Sequence, residues 1–352
     1  MKKTSVLSTT SSSLLPLHEL RIELLKECPL QCLHCSAFAA PHHPLRLPLS
    51  RVMTLLDEFA ALGGQQVTFT GGEPLEYGHL DTVLAKAKRL QLHTRLFSAG
   101  IVFDNEQRVS AIRQLDTITP DLDMVIFSLY GAQPITHDAV TTCPGSFALT
   151  LAAISYACKQ GIKVGIHFVP TQTNYREFSD LVALASTVGV NFMSVLRFVA
   201  HGRGRANADT LALDHSSHVW LRREIEQVPL HYPNIQIKLG SAYNLLGVGT
   251  PAPCTAGIDQ LVIEANGHVS PCIAFVGHHV SDLYGNILRD SLSTVWERSS
   301  YLQQTRATLA VTNRYQGCLA QKVMITGNID NTVIDPLEML TSNMFSLQEA
   351  HV

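Results

Sequence analysis

From residue 20 to residue 200 the chain alternates two hydrophobic rhythms. Short runs of β-branched and apolar residues, the length of strands, are followed by stretches in which apolar residues return every three or four positions, the spacing of a helix with one buried stripe. The first run is Leu20-Arg21-Ile22-Glu23-Leu24-Leu25. Pro48-Leu49-Ser50 then reads as a helix start, Val52, Leu55, Leu56, Phe59 and Leu62 keep helical spacing, and Gly63-Gly64 ends the run. Residues 66–70 are short and β-branched, as a strand should be. The pattern predicts further helices near 79–91, 106–115, 146–160 and 175–188, interleaved with strands at 94–97, 123–129, 162–169 and 192–198. Such alternation implies parallel strands joined by right-handed crossovers, and six units make an α/β fold of partial (β/α)6, TIM-like barrel type.

The rhythm breaks near Gly202. A helix near 214–227, capped by Asp214, reads as a bridge, and from Pro253 the pattern becomes a strand at 260–264, the turn Ala265-Asn266-Gly267 and a strand at 268–270. Asn-Gly between two short apolar runs is a hairpin signal. A helix containing Leu292, Val295 and Trp296 follows. The expected organisation is a flexible tail over 1–17, the barrel core over 18–205, a bridging helix and linker over 206–240, a smaller α+β extension over 241–338 and a C-terminal tail over 339–352.

Composition narrows the partners. The 352 residues are 46% apolar and 16% charged with a formal net charge of -3, so nothing calls for a nucleic-acid partner. The local basic run His201-Gly202-Arg203-Gly204-Arg205 fits a solvated loop as readily as an anion site. Met1-Lys2-Lys3 begins like a signal peptide, but Ser and Thr occupy 8–13 where an apolar core is required, and no apolar run reaches bilayer-spanning length. Six of the eight cysteines fall in two sequence groups, which speaks for metal binding in a reducing cytoplasm over a disulfide scaffold.

Cys28, Cys32 and Cys35 stand in one short loop directly after the first predicted strand. Three thiolates form a soft-ligand tripod suited to iron in a cluster, and a cubane held at three corners leaves its fourth iron open. Zinc is the rival, but structural zinc closes with four ligands, and only His34 stands near enough in sequence to serve. Parallel α/β folds place their sites at the carboxyl ends of the strands. There the chain carries Gly71-Gly72-Glu73-Pro74, Ser98-Ala99-Gly100, Ser128-Leu129-Tyr130-Gly131, His167-Phe168-Val169-Pro170 and Arg197. Paired glycines allow close backbone approach to a ligand, and the carboxylate after them offers an acceptor for a cationic amine.

The cysteine loop resembles that of the radical S-adenosylmethionine (radical SAM) enzymes, whose Cys-x-x-x-Cys-x-x-Cys motif binds a [4Fe-4S] cluster with SAM on the open iron. The resemblance implies cleavage of SAM to a 5′-deoxyadenosyl radical that abstracts hydrogen from a substrate. It further implies that Gly71, Gly72, Glu73 and Pro74 receive the SAM amino group and that His34 lies near the adenine. Ser98 and Ser128 would contact the methionine carboxylate or ribose, and Arg197 would pair with a carboxylate, ordinary loop hydroxyls and a surface arginine being the plain alternative. Where many relatives have an aspartate after the Ser-Leu pair this chain has Tyr130, placed to donate a proton or hydrogen atom or to pack against adenosine.

Downstream, Cys254 and Cys272 flank the predicted hairpin, followed by Gly285-Asn286-Ile287 and Gly317-Cys318-Leu319-Ala320. This order resembles the SPASM and twitch extensions of radical SAM enzymes, which carry auxiliary [4Fe-4S] clusters. Tyr315 and Glu338 stand where further cysteines are common, leaving Cys254, Cys272 and Cys318 for one auxiliary cluster, with zinc or no metal as the alternative. Cys143 and Cys158 match no ligand pattern.

The resemblance implies a radical SAM oxidoreductase acting on a ribosomally made peptide during maturation, by crosslinking or epimerisation, with a reductant such as flavodoxin or ferredoxin. No separate leader-binding segment is expected before the first strand. A small-molecule cofactor or metabolite precursor is the alternative substrate, and a noncatalytic iron-sulfur scaffold is the alternative of another class.

Overall fold

The computed structural model describes residues 16–248, 252–276, 283–311, 317–326, 329, 335 and 337. The N-terminal fifteen residues, Tyr315 and Glu338 lie outside the described residues.

The core begins β1 (Glu19–Glu23), α1 (Leu49–Ala61), β2 (Gln66–Thr70), α2 (Leu80–Arg89) and β3 (His93–Ser98). A small hairpin of β4 (Ile101–Asp104) and β5 (Gln107–Ser110) precedes α3 (Ile112–Ile118) and β6 (Met124–Ser128). Next come α4 (Pro134–Thr141), α5 (Ser146–Lys159), β7 (Lys163–Phe168), α6 (Phe178–Val188) and β8 (Phe192–Val195). Two single-turn helices, α7 (Arg203–Ala206) and α8 (Ala208–Leu211), lead to α9 (His215–His231) and β9 (Gln236–Leu239). The chain then supplies β10 (Gln260–Ile263), β11 (Val269–Ser270), α10 (Leu292–Arg298), α11 (Ser300–Val311) and α12 (Leu319–Thr326).

The main sheet has the order β11-β10-β1-β2-β3-β6-β7-β8-β9, every neighbouring pair parallel except β10 with β11. The six expected strands form its centre, and among the described residues its two edges do not pair with each other, so the barrel is partial. Alternation along β1 shows how the sequence sorts its faces. Leu20 and Ile22 pack into the main core with Val67 and Phe69 of β2 and with Val52, Leu55, Leu56 and Phe59 of α1. The opposite face carries Glu19, whose carboxylate takes Arg21 at 2.9 Å and Thr68 at 3.2 Å, so its polar side chains satisfy one another.

Several elements depart from the sequence pattern. The stretch expected as a helix from 106 is a hairpin strand first: Asn105 and Glu106 both take positive φ, 47° and 65°, the two-residue turn that suits hairpin twist. Its turn lacks the glycine that would announce it. Helix α4, starting with Pro134 in its first turn, is too short to show a periodic stripe. The expected bridge after 206 supplies a strand as well as a helix, because β9 pairs with β8 in the main sheet. The C-terminal hairpin is likewise no free ribbon: β10 pairs with β1 from Glu19↔Gln260 to Ile22↔Ile263. No single described helix is long and apolar enough to cross a membrane.

A polar clamp fixes the extension against α1. The Arg51 guanidinium makes two bonds to Glu58, at 3.1 and 3.0 Å, and donates to the carbonyls of Ile287 and Asp290, while Glu58 accepts the Leu292 amide at 2.9 Å. Hydrogen bonds to charged groups contribute about 1.5–3 kcal/mol each, and a half-removed network costs more than its weakest member. Arg51→Met should therefore destabilise the protein by about 2–3 kcal/mol in urea unfolding and speed amide exchange in α10 before it does so in β2 and β3.

Candidate active site

After β1 the chain forms the cysteine loop, and its backbone is pinned from three directions. Cys28 N–H donates to Ala40 O at 3.0 Å and Leu33 N–H to Val140 O at 2.9 Å, while within the loop Cys35 N–H donates to Cys32 O at 3.1 Å. The third support is the basic run. Arg203 donates from its backbone to Cys35 O at 2.8 Å, from Nε to Cys32 O at 2.9 Å and from its terminal nitrogen to Ala39 O at 2.7 Å. Asn207 adds a bond to Leu33 O at 3.0 Å. Gly202, at φ +57°, makes this approach possible, since a Cβ there would overlap the carbonyls of Cys35 and Ser36. The run read from sequence as solvent-facing loop or anion site is thus a clamp on the cysteines.

Cys28, Cys32 and Cys35 line a cavity of about 240 Å³ at the carboxyl end of the sheet. Burial, then the neighbouring Cys32 charge, pushes the Cys28 thiol well up, and burial with Cys35 pushes Cys32 to about 12. Thiols so placed ionise readily only with a metal centre to take the charge. Among the described residues no three His, Cys, Asp or Glu side chains gather about one ion position, as mononuclear zinc requires. Thiolates on separate irons of a cluster stand wider apart. Cys143, unmatched in sequence, packs with Cys28 in the same small apolar cluster, against which Cys32 and Cys35 also lie. Cys158 packs at the margin of the main core.

Gly71 and Gly72 line the cavity, but their backbone is also pressed against the approach to the cysteine loop. A Cβ on Gly71, at φ +126°, would overlap Leu25 O, and one on Gly72 would overlap Glu27 O. Gly72 N–H donates to Leu25 O at 2.7 Å and Glu73 N–H to Glu27 O at 2.8 Å. The side chains of Glu73 and Pro74 do not line the cavity. The Glu73 carboxylate is fully buried; it accepts from Ser98 Oγ at 2.8 Å, Ala99 N–H at 2.7 Å and Leu75 N–H at 3.1 Å, bracing the end of β3. Pro74 opens the short turn of helix that this carboxylate caps.

The other expected residues divide. Ser98, Ser128, His34 and Tyr130 all reach the cavity. Ser98 also accepts the Gly100 amide at 2.7 Å, so its hydroxyl is engaged within the protein. His34 meets Tyr130 edge-on with ring centroids 4.4 Å apart, and burial holds its imidazole neutral, down to about 3. Burial pushes the Tyr130 phenol up, so it stays protonated beside Cys32. Arg197 lines the cavity, yet its guanidinium is taken by buried Asp335, at 2.7 Å to Oδ1 and 2.9 Å to Oδ2. Asp335 also accepts the Cys318 amide at 2.7 Å, so the expected carboxylate partner is internal and ties β8 to the extension.

Cys254, Cys272 and Cys318 come together from three segments. Burial raises Cys272, with Cys254 and Cys318 adding to it, and burial raises Cys318 to about 11, with a hydrogen bond from Gln321 opposing. Ile273 and Ala274, directly after Cys272, line the cavity that Cys28, Cys32 and Cys35 border. Sequence reasoning did not single out Arg203 as a clamp, nor Glu23 and His201 on the cavity wall. A signal existed for Glu23, which alternates with Ile22 on β1 and therefore faces inward.

The residues present fit an iron-sulfur cluster with SAM. The donors are three inward-facing thiols, and the buried ring nitrogens His34 Nδ1 and His167 Nε2 border the same cavity without hydrogen-bond partners.

Two outcomes test this site. Arg203→Met should remove the side-chain bonds to Cys32 O and Ala39 O, loosen the cysteine loop and lower iron per chain to about half of the wild-type value after anaerobic reconstitution, the auxiliary site being retained. Burial raises the Glu73 carboxyl to about 7, against an ordinary 4.5, so the fold favours its protonated form. That contribution is complete below about pH 4.5 and lost as pH rises through about 7. Cluster-free protein should lose up to about 3 kcal/mol across this window, and Glu73→Gln should flatten that part of the profile in urea unfolding.

Comparison with known proteins agrees with the geometry. Residues 22–185 match the family model of the radical SAM superfamily, and residues 254–332 match SPASM, an iron-sulfur cluster-binding domain. The PqqA peptide cyclase of Gluconobacter oxydans is 25% identical over 340 residues, covering 92% of this chain and 90% of that protein. The AdoMet-dependent heme synthase of Nitratidesulfovibrio vulgaris is 23% identical, covering 86% of this chain and 84% of that protein. Among solved structures, Streptococcus suis SuiB bound to precursor peptide SuiA superposes with a TM-score of 0.67 at 18% identity, over 88% of this chain and 73% of that one. An α/β core with three thiols at its carboxyl rim, followed by a second thiol group built onto the same sheet, places this chain in the radical SAM superfamily, with a SPASM extension.

Proposed function

We propose that the chain modifies a ribosomally made peptide, using Cys28, Cys32 and Cys35 to hold a [4Fe-4S] cluster and Cys254, Cys272 and Cys318 to hold one auxiliary cluster. The observation that supports this reading is the single cavity bordered by the cysteine loop, by Gly71 and Gly72, and by Ile273 and Ala274 of the extension. With SAM bound, the cluster supplies a carbon radical able to take hydrogen from an unactivated carbon, which no side-chain base could deprotonate. The protein's own part is placement. Gly71 and Gly72 bring backbone close to the methionine end, Ser128 and Tyr130 wall the nucleoside, and His34 packs its neutral ring beside them. The apolar wall of Leu196, Phe198 and Val199 excludes water from the reacting carbon. One electron per cleavage comes from a reductant of flavodoxin or ferredoxin type. The likeness to PqqA peptide cyclase across nearly the whole of both chains favours a peptide; the heme synthase relatives keep a tetrapyrrole as the second reading.

Anaerobically reconstituted protein given SAM and dithionite should release 5′-deoxyadenosine, and Cys32→Ala should lower the yield at least about 100-fold. A short peptide encoded beside the enzyme should raise the yield and emerge either lighter by two hydrogens, as a crosslink, or carrying solvent deuterium, as an epimer. Consumption of a tetrapyrrole with every neighbouring peptide left untouched would sink the peptide reading.

A further inference from the structure

Glu23 is the last residue of β1, in register with Thr70 of β2 on one side and next to the β10 ladder on the other. It lines the cavity, its residue is 1% exposed, and its Oε2 has no hydrogen-bond donor. The Lys26 ammonium lies 3.4 Å from that oxygen as a buried ion pair, and it also donates to Ala37 O at 2.6 Å. Burial raises the Glu23 carboxyl; Lys26 opposes the shift, Glu264 adds to it, and the Ala265 amide bonds to it. Lys26 offsets the carboxylate's charge, yet Oε2 still lacks an aligned hydrogen-bond donor, so a second cation that can donate to it from the cavity gains a charge-assisted hydrogen bond. The surroundings suit such a visitor. Phe97, with His167 edge-on at 5.5 Å, and Leu196, Phe198 and Ile273 give apolar wall for a flexible stem, while Glu23 receives its charged tip.

We propose that Glu23 is the docking point for an alkylammonium or guanidinium tip carried by the substrate, so that a lysine or arginine side chain is the element this enzyme reads. The proposal rests on the peptide reading above. Glu23 stands on β1 between β2 and β10, and the cavity it lines is shared with Ile273 and Ala274 of the extension. The same chemistry could come from the α-ammonium of SAM, and the experiment has an arm for each source.

The probes are N-acetyl-lysine amide, N-acetyl-arginine amide and the neutral N-acetyl-norleucine amide, titrated calorimetrically into anaerobic holoenzyme with SAM present, alongside SAM titrated alone. Wild type should bind a cationic probe at least about tenfold tighter than the neutral one, and Glu23→Gln should abolish that preference while SAM affinity stays within about twofold. Equal binding of charged and neutral probes by wild type overturns the proposal, as does a preference that survives in Glu23→Gln. A Glu23→Gln protein that loses SAM affinity and leaves the probe preference intact assigns the carboxylate to the cofactor and also overturns it. If Glu23→Gln does not accumulate folded, Glu23→Asp decides: the shortened carboxylate should lose most of the preference, and full retention overturns. Because the readout is binding, an enzyme that cleaves SAM yet modifies no peptide would defeat the peptide reading and leave this result legible.

Discussion

A thiolate taken out of water loses its hydration, and a second and third beside it add mutual repulsion, so a buried trio of cysteines is tolerable only as neutral thiols or with a metal centre. Cys28, Cys32 and Cys35 are in that position, packed with Leu30, Ala39 and Ile101. Because the thiols repel ionisation on their own, the loop is shaped by its backbone, and the surrounding chain meets that demand. Arg203 saturates carbonyls on both sides of the loop, and Asn207 takes another. The glycine pair after β2 is seen in the same light. Sequence presents it as a ligand cradle, while the structure shows each missing Cβ making room for the Leu25–Glu27 backbone.

The extension is joined to the barrel by covalent sequence, by strand pairing and by charge. β10 lies against β1, Arg51 and Glu58 hold the segment before α10, and Arg197 holds Asp335, whose carboxylate supports Cys318. The two thiol groups are therefore tied to one sheet. Relative placement of the two thiol groups then follows in part from sheet geometry.

Much of this was legible in the residue pattern, and the exceptions have physical causes. Six parallel strands, the placing of Cys28, Cys32 and Cys35 at the cavity and the approach of Cys254 to Cys272 follow from periodicity and motif spacing, which report local geometry. Arg197 and Glu73 were read as ligand contacts because a charge at a strand end looks available. Their partners, Asp335 and Ser98, lie 138 and 25 residues away, and a sequence holds no mark of which charge finds which. Arg203 was passed over for the converse reason: its partners are backbone carbonyls, which no side-chain pattern records. β9 and the hairpin at Asn105 were missed because a four-residue strand and a glycine-free turn fall below the reach of periodicity.

The pairing of β10 with β1 has a consequence for biosynthesis. Glu19 leaves the ribosome well ahead of its partner Gln260, which follows 241 residues later. At about 5–20 residues per second this leaves one margin of β1, the strand that feeds the cysteine loop, uncovered for roughly 10–50 s on each nascent chain. Metal insertion within that interval would meet a half-built mount, so the order the fold imposes is β10 onto β1 first and metal afterwards.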